Sequence, residues 1–81
     1  MILVKIIINN KLLYNDSAQS VCLNTNDKGN IELQQGCSNY ILKIVDSINV
    51  KLLNDETKTF KIKEAIANFN NDILEIVGES H

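Results

Sequence analysis

Arginine and tryptophan are absent from the sequence, and its only aromatic residues are two tyrosines and two phenylalanines. The eight lysines are dispersed along the chain, and ten acidic residues leave it with a formal net charge of -2. Binding to a nucleic acid calls for clustered basic side chains, often arginine, and for aromatic rings on which bases can stack. We therefore expect no nucleic acid among the partners of this protein.

Catalytic chemistry also lacks the residues that it needs. The single histidine is His81, the last residue, so no Ser-His or Cys-His pair is available to activate a nucleophile. No glycine belongs to a phosphate-binding loop, and no group of Cys, His, Asp and Glu has the spacing of a metal site. The sequence predicts no catalytic residue, no cofactor and no metal, and it favours a binding role. An enzymatic or redox use of Cys37 or of the carboxylates is the minor alternative.

Two cysteines are too few for a disulfide framework, so we expect both to be reduced. Cys22 lies between Val21 and Leu23, a position typical of a small buried hydrophobe. Strict alternation would nevertheless turn it to the face opposite these two neighbours. Cys37 follows Gly36 in a predicted turn, and we expect it to be an exposed, unreactive thiol.

Long apolar runs are missing as well. Met1–Val4 and Ile6–Ile8 are the longest, they are separated by Lys5, and they fall far short of the roughly 20 residues that span a bilayer. The same start lacks the longer apolar segment and the small-residue cleavage site of a secretion signal. We expect a cytosolic type of compartment.

The chain does have aliphatic residues in short runs that are separated by polar turn residues at close spacing. With 81 residues it is long enough for one domain with a thin core, which Ile, Leu and Val must fill. Short alternating runs without proline and without a convincing long helix are typical of β structure. The sequence predicts a single all-β domain over residues 1–81, a small antiparallel β-sandwich or flattened barrel of roughly eight to ten short strands around a shared aliphatic core.

The individual strands follow from runs of β-branched residues and from apolar-polar alternation. The first, Ile2–Ile8, is almost continuously apolar, so we expect much of both of its faces to be covered. Turns are predicted at Asn9-Asn10, Asn15–Ser17 and Asp46-Ser47, and a helix over Lys61–Asn68 is the weaker alternative to strands there. The predicted strands after the first are Lys11–Tyr14, Ala18–Leu23, Ile31–Gln34, Tyr40–Val45, Ile48–Leu52, Thr59–Lys63, Glu64–Phe69 and Ile73–Val77.

Two of the three glycines lie in the stretch from Leu23 to Tyr40. The polar run before Gly29 reads as an exposed turn between two strands, and Gly36 ends the second of them. Scarce glycines used in one stretch indicate unusual backbone angles, needed for chain reversal or for the close approach of a partner. This stretch is therefore the first candidate for a working surface.

The order of these segments resembles the N-terminal β-sandwich of the epsilon subunit of rotary ATP synthases, over nearly the whole chain. The segments that carry the resemblance are Val4–Ile7, Lys11–Asp16, Ser20–Leu23, Gly29–Gly36, Phe60–Ile62 and Ala65–Val77. Three positions depart from the usual pattern of that family. Gly36-Cys37-Ser38-Asn39 stands where Gly-His-Ala-Pro is usual, Glu64-Ala65 replaces paired glycines, and Asp46-Ser47 replaces Pro-Gly.

The resemblance implies a non-catalytic subunit of the central rotor stalk that docks on the gamma subunit and on the c-ring, and so couples proton flow to ATP synthesis. By position, Asp27–Asn30 and Gly36 fall where the family meets the c-ring, although Asn30 replaces an acidic residue that is common there. The C-terminal helical pair of the family is absent from residues 1–81. The implied location is the cytoplasmic face of a bacterial inner membrane, or the matrix side in mitochondria, with membrane association only through the complex. The alternative is an unrelated β-sandwich module that binds a peptide or protein through an edge strand.

Overall fold

The computed structural model describes all 81 residues, Met1 to His81, and it is all-β, as the sequence predicts. No residue is helical, so the helical alternative for Lys61–Asn68 is wrong. The chain forms seven strands. They are β1 (Ile2–Ile8), β2 (Lys11–Ala18), β3 (Ser20–Thr25), β4 (Gly29–Gln34), β5 (Tyr40–Lys51), β6 (Thr57–Asn70) and β7 (Ile73–Glu79).

Hydrogen bonding joins these strands continuously in the order β2-β1-β7-β6-β5-β3-β4. The sheet is mixed, because β1 and β7 are parallel while every other pair is antiparallel. The expectation of a wholly antiparallel fold is therefore wrong at this one pair. The first and last strands of the chain are neighbours, and β7 lies between β1 and β6 in the interior of the sheet.

The core is one cluster of 18 buried apolar side chains to which all seven strands contribute. Alternation sets the inward face of each strand, as in β1, where Ile2, Val4, Ile6 and Ile8 are buried. Because a single sheet supplies every wall of this cluster, the sheet must bend around it in the manner of a flattened barrel. The aliphatic core that the composition predicts is confirmed, with Phe69 as its only fully buried aromatic residue.

In two hairpin turns of this chain, asparagine and aspartate occupy the positive-φ positions that glycine often occupies in other proteins. The hairpins β1–β2 and β6–β7 each close with two residues of positive φ, Asn9-Asn10 (53° and 63°) and Asn71-Asp72 (51° and 62°). Two-residue loops with both φ angles positive are the type I′ turns that match the twist of a hairpin. The short polar side chains of Asn and Asp tolerate this left-handed region better than other side chains do.

The strand count is seven rather than eight to ten, partly because Asp46-Ser47 is not a turn between strands. Asp46 has a φ of 70°, and the pairing register shifts at this point relative to both β3 and β6. The two residues form a bulge that bends β5 without ending it. The predicted strands Thr59–Lys63 and Glu64–Phe69 likewise form one strand, β6, which stays paired with β5 on both sides of the bulge.

A second correction concerns the predicted loop Asn15–Ser17, which is part of strand β2. This strand lies at the edge of the sheet and pairs only with β1, so most of its side chains are exposed. Because most side chains of such an edge strand face water, they can be polar, and a short polar segment has the same composition as a loop in the sequence. The chain turns instead at Gln19, whose backbone N–H donates to the Lys51 carbonyl over 2.8 Å.

The two cysteines are both free thiols. The predicted register of β3 is confirmed, because Val21 and Leu23 are buried and Cys22 lies half-buried on the opposite face. Cys37 is not the exposed thiol that we expected. It is half-buried and packs against the core cluster.

Candidate functional site

The turn between β3 and β4, which we call the corner (Asn26–Asn30), is held by one threonine. Thr25 Oγ1 accepts from the backbone N–H of Lys28 at 2.9 Å and donates to the carbonyl of Gly29 at 2.7 Å. Thr25 pairs with Gly29, so three residues form the loop, and Gly29 follows it with a φ of 70°. A three-residue loop of this kind characteristically ends in a left-handed residue. The positive φ predicted for Gly29 is confirmed.

All four predicted residues of the corner, Asp27 to Asn30, are exposed and adjacent. Asp27 and Lys28 form no ion pair, so both charges project into solvent. The corner borders Ile41 at the start of β5 across a shallow groove. Ile41 is 76% exposed, the highest value among the large apolar side chains of this protein. The corner can therefore offer a partner one charge of each sign beside an apolar contact.

We expect Gly29→Val to lower the free energy of unfolding by about 1–3 kcal/mol, because a β-branched residue is strained at positive φ. No atom lies within 4 Å of the added Cβ, so backbone strain is the only cost. Urea denaturation of the two proteins measures the difference. Gly29→Asn is the matched control, since asparagine already adopts positive φ at three other positions of this chain. Equal losses for Val and Asn would contradict the assignment of the cost to backbone strain.

Gly36, the fifth predicted residue, lies at the other end of β4. Its φ is 87°, and the Cys37 N–H donates to the Gln34 carbonyl at 3.1 Å, which places Gly36 where a type II turn requires glycine. The Gly36 N–H donates to Asp72 Oδ1 at 2.9 Å and so fixes this turn to the β6–β7 hairpin. The length of β4, about 20 Å, separates Gly36 from Gly29. The structure thus brings Asp27–Asn30 together and leaves Gly36 in a different turn.

A surface that the sequence reasoning missed crosses four neighbouring strands on the outside of the sheet. Register places four apolar side chains side by side, and we call them the apolar row: Leu12 of β2, Ile7 of β1, Val77 of β7 and Ile66 of β6. Leu12 is 55% exposed, Val77 and Ile66 are each 49% exposed, and Ile7 is half-buried. Scattered exposed apolar residues need no explanation, but a contiguous set marks an interaction surface.

A signal for this row was present in the first strand. The almost continuous apolar run of β1 predicted that both of its faces would be covered. Its even-numbered residues are buried in the core, but Leu3 and Ile7 face outward, where Leu3 is 51% exposed. No part of this chain covers that face. The remaining members of the row could not be found from the sequence, because residues 7, 12, 66 and 77 meet only through the pairing order of the folded sheet.

Cys22 does not have the environment of a reactive cysteine. Burial, and then the neighbouring Glu32 carboxylate, raise the pKa of the Cys22 thiol above its ordinary value. The Sγ donates weakly to Glu32 Oε2 at 3.7 Å. A raised pKa keeps Cys22 protonated at neutral pH, and the thiol is a poor nucleophile. No group of three or more His, Cys, Asp and Glu side chains is placed to hold a metal ion.

No helix in the structure could cross a lipid bilayer. No protein-family model and no curated protein matches the sequence. The fold, however, is similar to that of a chain in the cryo-EM structure of the Euglena gracilis mitochondrial ATP synthase, described as OSCP/F1/c-ring in rotational state 1. The TM-score is 0.86 at 13% sequence identity, and the match covers 94% of this chain and 49% of the other. This chain thus shares a fold, over about half the length of its counterpart, with a component of an ATP synthase structure.

Proposed function

We propose that this protein is a non-catalytic subunit of the central rotor stalk of a proton-translocating ATP synthase, of the epsilon type. The apolar row is the observation that carries the proposal, because an exposed contiguous apolar surface on a small domain calls for a protein partner. The fold similarity to an ATP synthase component and the resemblance of the segment order to the epsilon subunit support the choice of partner. The proposed location is peripheral, at the cytoplasmic or matrix side of the membrane.

In this proposal the domain contacts two partners through two different surfaces. The apolar row packs on the gamma subunit, since a contiguous exposed apolar set suits a lasting interface. The corner, with Asp27 and Lys28, meets the polar loops of the c-ring, and Gly36 shapes the separate turn at the other end of β4. The domain itself performs no chemistry and needs no cofactor. Its role is to keep gamma and the ring turning together.

A second candidate function is that of an interaction module with an unrelated partner, which binds an extended peptide through an edge strand. One observation favours it. Strand β4 is at the edge of the sheet, pairs with β3 without a register shift, and contains no proline or lysine to protect its free side. Copurification distinguishes the two functions, because only the rotor subunit would be found at one copy per gamma in ATP synthase isolated from the source cells.

The variant Ile66→Thr/Val77→Thr should weaken capture of the purified gamma subunit by about tenfold, because it replaces two central apolar contacts with hydroxyls of similar shape. Threonine keeps the β propensity of these positions, so we expect the free energy of unfolding to change little. Titration calorimetry or a pull-down with quantified gamma measures the effect. Leu53→Thr is the matched control, since Leu53 is 56% exposed but lies in the β5–β6 connection, away from the row.

Lys28→Glu, tested in the same experiment, distinguishes the role of the corner from that of the apolar row. It should leave gamma binding at the level of the unaltered protein and reduce association with detergent-solubilised c-ring. Loss of gamma binding in both Lys28→Glu and Leu53→Thr would show that capture depends on general surface properties, and the apolar row would then not be the gamma-binding site. Unchanged ring association in Lys28→Glu would remove the corner from the interface.

A further inference from the structure

Two carboxylates lie at one end of the apolar row, on the same outer face. Glu64 of β6 and Glu79 of β7 are paired directly across the two strands. They line one groove together with Ile66, Val77 and Gly78, so the acidic pair and the apolar side chains form one continuous surface. Glu64 lies two residues from Ile66 in β6, and Glu79 lies two residues from Val77 in β7. Residues two apart in a strand face the same side of the sheet, so each carboxylate is next to an apolar side chain of the row.

Neither carboxylate forms an ion pair within the chain. Like charges directly opposite each other destabilise a sheet, and such a pair calls for a counter-charge. Lys43 of β5 lines the same groove, but it forms no ion pair there, since the only ion pair in the structure joins Lys51 to Asp55. On the other side, β1 contributes Ile8 and Asn9 next to the end of β7, and neither is charged. With two carboxylates and one lysine, the lining of the groove keeps a net negative charge that a cationic partner would balance.

The groove beside the pair leaves room for a partner side chain on the outer face. Glu64 and Glu79 line this groove, whereas a side chain at Gly78 would point toward Ala65 on the opposite side of β7, so the groove is not a gap left by the glycine. Two carboxylates that flank an open groove suit a guanidinium, which can donate to both in a planar, bidentate arrangement. The apolar row beside the groove would pack against the aliphatic or aromatic side chains that accompany this cation in the sequence of the partner.

We propose that Glu64 and Glu79 select a partner segment that places one or two cationic side chains, arginine in preference to lysine, immediately beside the apolar residues that cover Ile66 and Val77. The inference rests on the proposed function in taking this partner to be the gamma subunit. It adds the chemistry of the contact, because it states which charge the docking face of the partner carries and at which end of the apolar row that charge lies.

Two synthetic amphipathic peptides test the charge selection without ATP synthase. Both are 18-residue helices with the same leucine face; one has arginine beside that face and the other has glutamate. In an NMR titration of the full chain, the arginine peptide should shift the signals of Ile66, Val77 and Gly78, and should bind about tenfold more tightly than the glutamate peptide. Equal affinities, or shifts confined to other parts of the molecule, would overturn the proposal.

The variant Glu64→Gln/Glu79→Gln removes both charges while keeping the size of the side chains. It should abolish the difference between the two peptides and weaken binding of purified gamma by about tenfold. Glu56→Gln is the control, since Glu56 is exposed in the β5–β6 connection and away from this face. If the arginine peptide binds as expected and gamma does not, the charge selection stands and the rotor assignment fails. If gamma binds equally well to the double variant and to the unaltered chain, the rotor assignment stands and the charge selection fails.

Discussion

Gly78→Ala is expected to lower the free energy of unfolding by about 3 kcal/mol, at the upper end of the range for overpacked sites. A Cβ at residue 78 would lie less than 3.0 Å from the Cβ of Ala65 and from the carbonyl oxygen of Glu64. The second of these is a backbone atom of the paired strand β6, so it cannot move aside as a flexible side chain would. Urea denaturation followed by circular dichroism measures the loss.

Two variants show whether this loss comes from the close approach of the strands. Ala65→Gly in the Gly78→Ala background removes one of the three clashing atoms, the Ala65 Cβ, and leaves the Glu64 carbonyl oxygen and the Cα of residue 65, so it should restore part of the stability but not all of it. Gly29→Ala adds a Cβ that meets no atom within 4 Å, and its cost is limited to backbone strain. A loss below about 1 kcal/mol for Gly78→Ala would mean that β6 and β7 can separate at this point, contrary to the register described above.

Phe69→Ala should be the most damaging single truncation, with a loss of about 3–5 kcal/mol. Phe69 is 1% exposed and is the largest fully buried side chain of the protein. It lies in β6 between Tyr40 of β5 and Leu74 of β7, in the middle of the sheet, where neighbouring strands cannot close the cavity without losing their own pairing. Thermal and urea unfolding both report the change, and a core of this size leaves little stability in reserve.

Phe60→Ala is the natural comparison, since Phe60 is the other phenylalanine and also belongs to β6. Its ring is half-buried and meets Tyr14 edge to face, with the ring centroids 6.2 Å apart. We expect its loss to be less than half of that at Phe69, because solvent already reaches the site and can fill it. Equal losses at the two positions would show that the region around Phe60 is part of the core rather than its margin.

Much of the fold could be predicted from the sequence because the signals for it are local. Alternation identified the buried faces of β1 and β3, and the polar pair Asn9-Asn10 marked its hairpin turn. The errors came where local signals and sheet context disagree. Asp46-Ser47 has the composition of a turn but is held as a bulge by strands on both sides of β5, and Asn15–Ser17 is polar because β2 is an exposed edge.

The candidate site divides in the same way. The corner could be predicted because Gly29 is one of three glycines and follows a polar run, and both signals are visible in a single stretch of chain. The acidic pair was missed although both carboxylates belong to one hairpin, β6–β7, because their pairing depends on its register. The apolar row could not be predicted, because Ile7 and Leu12 meet Val77 and Ile66 only when β1 and β7 pair in parallel. That contact joins the two ends of the chain, and no feature of either segment specifies the other as its neighbour.

The interior position of β7 also determines when this protein can fold during its synthesis. Strand β7, which joins β1 to β6, is the last of the seven strands to be synthesised. The β1–β2 hairpin is complete much earlier, and β1 has no partner on its other side for the several seconds that synthesis of the remaining strands takes at roughly 5–20 residues per second. Sheets that depend on contacts between distant segments fold slowly, in milliseconds to seconds. The free edge of β1 therefore stays exposed until β7 has been made, and the chain becomes a folded domain only after translation has passed Glu79.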